Sequence, residues 1–268
     1  MTLVILMRIL AVGDIVGKSG VCKLEERLPD IIKKENIDFV IVNGENSANG
    51  KGLRIKEYDK ILACGADAIT MGNHIYYRKE MASQYINCDR LLIPANITNL
   101  TGHGSILVEK NNHKFGVINL IGKVGINEIA PDASRNPFEV AKEEVEKLKK
   151  AGADYIFVDF HAEATAEKIA MGYFLENDVN LVFGTHTHVQ TSDEEILDSG
   201  MAYITDVGMT GPCGSVLGLK KEVALKRFVT GQYAKYECSE NKAIFNAIIV
   251  DYDDATKKAL KITRINER

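Results

Sequence analysis

The sequence lacks paired cysteines and an excess of positive charge. Its 5 cysteines lie far apart, their number is odd, and no Cys-x-x-Cys pair occurs. This pattern favours a reduced, cytoplasmic protein over a disulfide-stabilised secreted one. A net charge of -4 argues against a nucleic-acid surface built on bulk positive charge. It still permits a small anionic substrate, because bound divalent cations reverse the local sign of a site.

The sequence also lacks an apolar run of about 18 residues, the length that a membrane span requires. The apolar start, Met1–Val12, has no basic segment before it, is interrupted by Arg8 and runs into Gly13-Asp14 rather than a cleavage site. We therefore interpret it as a first buried strand and not as a signal peptide. Met7 is an alternative start, which would make residues 1–6 an N-terminal extension.

The chain contains no internal repeat, low-complexity tract or linker, so its 268 residues predict one domain over 1–268. Apolar runs alternate with amphipathic helical segments, which favours an α/β fold with parallel strands and right-handed crossovers. Strands are predicted over 9–12, 39–42, 68–71, 91–94, 105–108, 115–120, 155–160, 179–183, 202–205, 243–250 and 259–265, and helices over 21–32, 55–62, 137–150 and 165–176.

Several local signals refine this prediction. Pro29 should kink or divide the first helix, and Asn111-Asn112 fits the turn of a hairpin. Gly65 stands in the position of a C-terminal cap for the second helix. Asn136 precedes Pro137 in the order typical of a helix start. The stretch Gly122–Pro137 is the longest loop-like segment, and we expect it to cover a site or an interface.

Polar side chains follow successive predicted strands at the point where each strand ends. In an open sheet this edge is where ligands bind. Taken singly, each side chain has an ordinary explanation as a helix cap, a turn residue or a core histidine. Their joint occurrence, with oxygen and imidazole ligands and no thiolate, favours divalent transition metals. The strand-end residues are Asp14, Glu45, Asn46, Asn73, His74, His161, His186 and His188.

The number of candidate ligands favours two metal ions, because a single catalytic zinc takes three protein ligands. A carboxylate such as Glu45 can bridge two ions through its two oxygens. Two-metal sites stabilise both sides of an in-line displacement at phosphorus. Phosphoester hydrolysis is therefore the reaction class that the sequence favours.

The ordered motifs resemble the calcineurin-like metallophosphoesterases and, more closely, the YmdB-type family of 2′,3′-cyclic-nucleotide phosphodiesterases. Val16 stands where the broad superfamily has a histidine, and Glu45 stands where it has an aspartate, and both departures agree with the narrower family. The resemblance spans the chain from Met7 onward and rests on Gly13-Asp-Ile-Val-Gly17, Asn43-Gly-Glu-Asn-Ser-Ala-Asn-Gly50, Gly72-Asn-His74, Asp159-Phe-His-Ala-Glu-Ala-Thr-Ala-Glu-Lys168, Gly184-Thr-His-Thr-His188 and Thr205-Asp-Val-Gly-Met-Thr-Gly211.

The resemblance implies a four-layer αββα sandwich, in which two mixed β-sheets are flanked by helices. It implies one metal ion held by Asp14, Glu45, Asn46 and His188, and a second held by Glu45, Asn73, His161 and His186. The ions would be iron, with manganese or zinc as alternatives. His74 would stand over the substrate as general acid.

The resemblance further implies a cyclic-nucleotide substrate cleaved at the 2′ bond, a nucleoside 3′-phosphate as product, and a homo-oligomer, either a dimer or a tetramer. Two alternatives stay open: a metallophosphoesterase for other phosphoesters or RNA ends, and a metal-loaded regulatory protein that senses a nucleotide. Four residues in the motif stretches are candidates for orienting the ligands, with ordinary loop and cap bonding as the alternative: Glu163, Thr165, Thr187 and Asp206.

Overall fold

The computed structural model describes residues 6–126 and 133–268. The first residues of the predicted Met1–Val12 segment and the middle of the predicted loop Gly122–Pro137 lie outside these ranges. The helices are α1 (Gly17–Glu35), α2 (Ile55–Ala63), α3 (Pro137–Lys150), α4 (Thr165–Leu175) and α5 (Lys221–Thr230). The strands are β1 (Leu6–Val12), β2 (Asp14–Ile15), β3 (Phe39–Asn43), β4 (Ala68–Thr70), β5 (Leu91–Leu92), β6 (Ser105–Lys110), β7 (His113–Ile121), β8 (Tyr155–His161), β9 (Leu181–Thr185), β10 (Glu195–Ile196), β11 (Ala202–Ile204), β12 (Met209–Pro212), β13 (Ala243–Asp253) and β14 (Ala259–Glu267).

Within the described residues the strands form two mixed sheets. The first has the order β2-β12-β13-β1-β3-β4-β5, with β14 also paired to β13. In it, β1, β3, β4 and β5 run parallel, whereas β13 is antiparallel to β1 and β14. The second has the order β10-β11-β9-β8-β7-β6, with β7, β8, β9 and β11 parallel. The parallel strands place their carboxyl ends at a common edge of each sheet.

Alternating residues of each central strand build separate cores. Val40 and Val42 of β3 pack with residues of α1 and α2, whereas Phe39 and Ile41 face the second sheet. There Phe39 stacks on Phe115 of β7 with ring centroids 4.5 Å apart. A third core lies between the second sheet and helices α3 and α4. This arrangement is the four-layer αββα sandwich with two mixed sheets that the resemblance implies.

Three local predictions are confirmed. The Asn136 side chain accepts a hydrogen bond from the backbone N–H of Phe138 at the start of α3. Asn111 and Asn112 both have positive φ, as the tight turn between β6 and β7 requires. The helix α2 ends before Gly65, whose φ of +107° favours glycine.

Of the two outcomes predicted for Pro29, a kink or a division of the first helix, the division is wrong, because α1 runs unbroken past it. Pro29 lies on the exposed face, while its neighbour Leu28 and the following Ile31 are buried. Burial of the opposite, apolar face of α1 outweighs the backbone hydrogen bond lost at Pro29, which costs about 3 kcal/mol in a helix interior.

None of the helices in the described parts of the chain combines the length and hydrophobicity that crossing a bilayer requires.

Candidate metal centre

All eight predicted strand-end residues lie at the carboxyl edges of parallel strands. The residues of the first sheet follow β1, β3 and β4, and those of the second sheet end β8 or follow β9. Because the two sheets pack face to face, these edges bring the eight side chains together around one cavity. The fully or almost fully buried members are Asp14, Glu45, Asn46, Asn73 and His161, whereas His74, His186 and His188 are partly exposed.

Glu45 contacts both halves of this cluster. Its Oε1 accepts a hydrogen bond from Asn46 Nδ2 at 3.0 Å and lies 3.2 Å from His161 Nε2. Its Oε2 accepts a hydrogen bond from the backbone N–H of His74 at 3.2 Å. The carboxylate therefore stands where it could be shared by two ions.

On one side of Glu45, three donor atoms face one another. His161 Nε2 lies 3.0 Å from His186 Nδ1 and 2.9 Å from Asn73 Oδ1. One ligand atom from each of Glu45, His161 and His186 falls within 4.8 Å of the others. Two imidazole nitrogens and two oxygens at such distances are a donor set that suits a transition-metal ion.

On the other side lie Asp14, Asn46 and His188. His188 Nε2 is 3.8 Å from Asp14 Oδ1 and 3.0 Å from Asn46 Nδ2. Asp14 Oδ1 is buried and has no hydrogen-bond partner among the described residues. A buried carboxylate oxygen without a partner is costly, and a cation would satisfy it. Ligation by the Asn46 oxygen requires a half-turn of its amide, since its Nδ2 faces Glu45 and His188.

The charges of the cluster explain its unusual acidities. Burial raises the pKa of Asp14 well above its ordinary value. Burial also acts to raise the pKa of Glu45, but the charges of His161 and His74 outweigh it and hold that pKa well below its usual range. Burial acts to lower the pKa of His161, yet Glu45 raises it to about 9. Burial and the charge of His161 lower the pKa of His186 to about 3. Bound cations would take over this charge balance.

In the loop after β9, two histidines that line the cavity have an uncommon backbone conformation. His186 has a φ of 102° and His188 a φ of 65°, in the left-handed region that side chains rarely adopt. The loop begins at a close approach, because a Cβ on Gly184 would lie 1.8 Å from the Thr205 carbonyl oxygen. Only glycine fits at this position.

A buried ion pair holds this loop. Asp206 Oδ2 accepts hydrogen bonds from Lys168 Nζ at 2.7 Å and from the Thr187 backbone N–H and hydroxyl at 3.1 and 2.8 Å. Asp206 Oδ1 accepts one from the Gly208 N–H at 2.8 Å. Lys168 and Asp206 are 1% and 0% exposed. The ion pair thus holds Thr187, the residue between the two histidines, in place.

Lys168→Met is expected to lower the free energy of unfolding by about 3–5 kcal/mol, because it leaves the Asp206 carboxylate buried without its counter-charge. Chemical denaturation of the metal-free protein measures the loss. In the matched double variant, Asp206→Asn added to Lys168→Met should recover part of it. A loss below about 1 kcal/mol in Lys168→Met would contradict the assignment.

The four candidate orienting residues differ in their surroundings. Glu163 Oε2 lies 3.0 Å from His186 Nε2, and Thr187 and Asp206 form the hydrogen bonds described above. Thr165 is exposed at the start of α4. Two further buried polar residues, Asp159 and Thr185, lie beside the cluster, and the strand-end pattern does not identify them. An acidic residue inside the apolar strand β8 is the signal that could have identified the first.

Six of the eight side chains form the floor of a cavity of about 310 Å³, while Asp14 and His161 are fully buried beside them. Its wall contains Lys51, Leu217, Arg227 and Tyr236, none of which the sequence motifs single out. Among the described residues, no carboxylate lies within 4.0 Å of the cationic nitrogens of Lys51 or Arg227. The cavity is therefore suited to an anionic ligand.

Comparisons with known proteins agree with this geometry. The model of the YmdB-like protein family matches residues 10–265. A relative from Bacillus subtilis (strain 168), named 2′,3′-cyclic-nucleotide 2′-phosphodiesterase, is 44% identical over 97% of this chain and 96% of its own length. The crystal structure of a phosphatase from Mycoplasma pneumoniae superimposes with a TM-score of 0.90 at 38% identity, covering 99% of this chain and 95% of that one.

A crystal structure from Thermus thermophilus, described as that of a hypothetical protein, superimposes with a TM-score of 0.88 at 32% identity and covers 98% of this chain and 100% of that one. These matches run along almost the full length of the chain, and the family match includes every strand-end residue of the cluster. The chain therefore belongs to the YmdB-like family.

Proposed function

We propose that this protein is a dinuclear-metal phosphodiesterase that hydrolyses 2′,3′-cyclic nucleotides at the 2′ bond and releases nucleoside 3′-phosphates. The observation that carries the proposal is the convergence of the eight strand-end side chains around Glu45, with six of them lining one cavity. The name of the Bacillus subtilis relative supports the substrate. The unpartnered oxygen of Asp14 and the paired ring nitrogens of His161 and His186 support the presence of metal.

In this proposal Asp14, Glu45, Asn46 and His188 would hold one ion, and Glu45, Asn73, His161 and His186 would hold the other. The donor set suits iron, manganese or zinc, and family resemblance favours iron. When bound, such ions polarise the phosphoryl oxygens and lower the pKa of water.

The side chains of the cavity carry out the remaining steps. Water loses a proton to solvent and adds to phosphorus in line with the departing 2′ oxygen, so that a new P–O bond forms as the P–O2′ bond breaks; solvent later returns a proton to His74. His74 lies at the cavity floor, and its Nδ1 contacts the terminal amide of Asn46. This contact leaves its Nε2 available to donate a proton to the 2′ oxygen as the oxygen leaves. The 3′ phosphoester bond stays intact.

Cleavage of RNA ends is the second candidate function, and the cavity wall favours it. Lys51 and Arg227 offer positive charge beyond what one cyclic phosphate at the metal floor needs. A second phosphate, such as that of a preceding nucleotide in an RNA end, would complement these charges. A dinucleotide ending in a 2′,3′-cyclic phosphate would then be hydrolysed with a lower KM than a mononucleotide.

Metal analysis combined with product identification tests the proposal. The purified protein is expected to contain about two transition-metal ions per chain and to convert a 2′,3′-cyclic nucleotide to the 3′-phosphate. Phosphorus-31 NMR distinguishes the 3′ from the 2′ isomer. A 3′,5′-cyclic nucleotide and a phosphomonoester serve as matched substrates. Release of the 2′-phosphate, or tight nucleotide binding without turnover over several metals, would contradict the proposal.

A further inference from the structure

A buried carboxylate lies between the two sheets directly behind the cluster. Asp159 of β8 is fully buried, and its Oδ1 accepts a hydrogen bond from the Thr185 hydroxyl at 2.7 Å. Its Oδ2 accepts hydrogen bonds from Asn43 Nδ2 at 3.0 Å and from the Thr70 hydroxyl at 2.5 Å. These three donors come from β3, β4 and β9, so the network joins both sheets below the proposed ions.

We propose that Asp159 and Thr185 are positioning residues that keep a proton on His161 Nδ1 and thereby leave His161 Nε2 free to bind metal. This inference rests on the proposed role of His161 as a ligand. It follows from which atom donates and which accepts in each hydrogen bond that links Asp159, Thr185 and His161.

The orientation of the Asn43 amide determines that the Thr185 hydroxyl accepts a hydrogen bond on one side. The Glu45 backbone N–H donates to Asn43 Oδ1 at 3.1 Å, so the opposite side of the amide, Nδ2, must face Asp159 and Thr185. Asn43 Nδ2 also lies 3.3 Å from the Thr185 hydroxyl oxygen. An amide nitrogen only donates. The Thr185 oxygen therefore accepts on that side and directs its single hydrogen elsewhere.

The Thr185 hydrogen goes to Asp159 Oδ1 at 2.7 Å, because a carboxyl oxygen without a proton of its own can only accept. The remaining neighbour of the Thr185 oxygen is His161 Nδ1, at 2.8 Å. With its own hydrogen committed, the hydroxyl can only accept from that nitrogen. His161 Nδ1 must therefore keep its proton, and in the neutral ring the lone pair resides on Nε2.

The freed nitrogen faces the proposed ligand set. His161 Nε2 lies 2.9 Å from Asn73 Oδ1, 3.0 Å from His186 Nδ1 and 3.2 Å from Glu45 Oε1. A proton on Nε2 would occupy the position that a metal ion needs. The hydroxyl and carboxylate behind the ring thus decide whether the ring can act as a ligand.

The other two imidazoles have partners that differ in an informative way. His186 Nε2 faces the Glu163 carboxylate, whose side chain is 52% exposed, and His188 Nδ1 donates to the Leu217 carbonyl at 3.0 Å. Water could replace the Glu163 carboxylate as the partner of His186. The Leu217 carbonyl belongs to the backbone, so no substitution removes the partner of His188. The partner of His161 is buried and belongs to a side chain, so this relay is the one that a point substitution can break.

Thr185→Val removes the hydroxyl while keeping the shape, and Thr185→Ser keeps the hydroxyl. Thr185→Val is expected to bind Mn²⁺ about 10–100-fold more weakly than wild type, whereas Thr185→Ser should recover most of the affinity. Equilibrium titration followed by the electron paramagnetic resonance of free Mn²⁺ measures this without substrate. Circular dichroism and thermal unfolding of the metal-free variants control for folding.

Asp159→Asn supplies a second, directional test. An amide nitrogen at the position of Oδ1 would donate to Thr185, which would then donate to His161 Nδ1 and shift the proton to Nε2. In protein labelled with nitrogen-15 in its histidines and loaded with Zn²⁺, the spectrum of the ring nitrogens identifies the protonated atom. Wild type and Thr185→Ser are expected to show His161 protonated at Nδ1.

The results separate this inference from the proposed function. Wild-type affinity for Mn²⁺ in a folded Thr185→Val variant, or His161 protonated at Nε2 in the loaded wild type, would overturn the relay and leave the phosphodiesterase proposal intact. A wild type that binds Mn²⁺ but fails to hydrolyse cyclic nucleotides would overturn the proposed function and leave the relay intact.

Discussion

Replacing Glu45 with glutamine is expected to remove metal and activity together. Glutamine matches the shape of glutamate but carries no charge, and one of its two oxygens becomes an amide nitrogen that cannot ligate. Glu45 contacts both halves of the cluster, through His161 Nε2 at 3.2 Å and Asn46 Nδ2 at 3.0 Å. Since metal ions supply several kcal/mol of transition-state stabilisation, we expect kcat/KM to fall by about 10³-fold or more.

Metal content and turnover must be measured on the same preparation of Glu45→Gln. Glu57→Gln is a matched control, because Glu57 is a buried glutamate of α2 that pairs with Arg54 and lies outside the cluster. This control should retain metal and activity even if it loses some stability. Full metal occupancy in Glu45→Gln would remove Glu45 from the bridging role.

The strands and helices that form the layers could be predicted because their sequence periodicity matches their burial. In β3, for example, alternate residues face different cores, and all of them are buried. The helix α5 escaped prediction because only Ala224 is buried in it, while Leu225, Phe228 and Val229 are exposed. A helix without a buried stripe has no periodic signal.

The short strands β2 and β12 also could not be predicted. Asp14–Ile15 contains two residues, too few for a pattern, and its extended form depends on pairing with Met209–Thr210 far along the chain. Conversely, packing overrode the local signal of Pro29. Local sequence therefore indicated which segments are buried but not which distant segments they meet.

The same division holds for the candidate site. Its eight strand-end residues could be named because each follows an apolar run in the sequence. Their orienting partners could not, because contacts such as that between His161 and Thr185 join residues from neighbouring strands in three dimensions. The charged wall formed by Lys51 and Arg227 likewise arises only when two remote segments meet over the cavity.

His74 should behave unlike the proposed ligands, and this contrast is the basis of the second large effect. Its Nδ1 contacts the terminal amide of Asn46, and its ring packs edge-on against Tyr77 with centroids 4.9 Å apart. These contacts hold the ring at the cavity floor without requiring it to bind metal. His74→Ala is therefore expected to keep its metal and to lose about 10²–10⁴-fold in kcat for a 2′,3′-cyclic nucleotide, the usual contribution of a general acid.

The leaving group provides the control for this role. A sugar alkoxide needs a proton as it departs, whereas 4-nitrophenolate is a stable anion and leaves without one. The loss in His74→Ala should therefore shrink to less than about tenfold with bis(4-nitrophenyl) phosphate. An equal loss with both substrates would indicate that His74 orients the phosphate rather than protonating the leaving group, and unchanged turnover of the cyclic nucleotide with metal retained would exclude both roles.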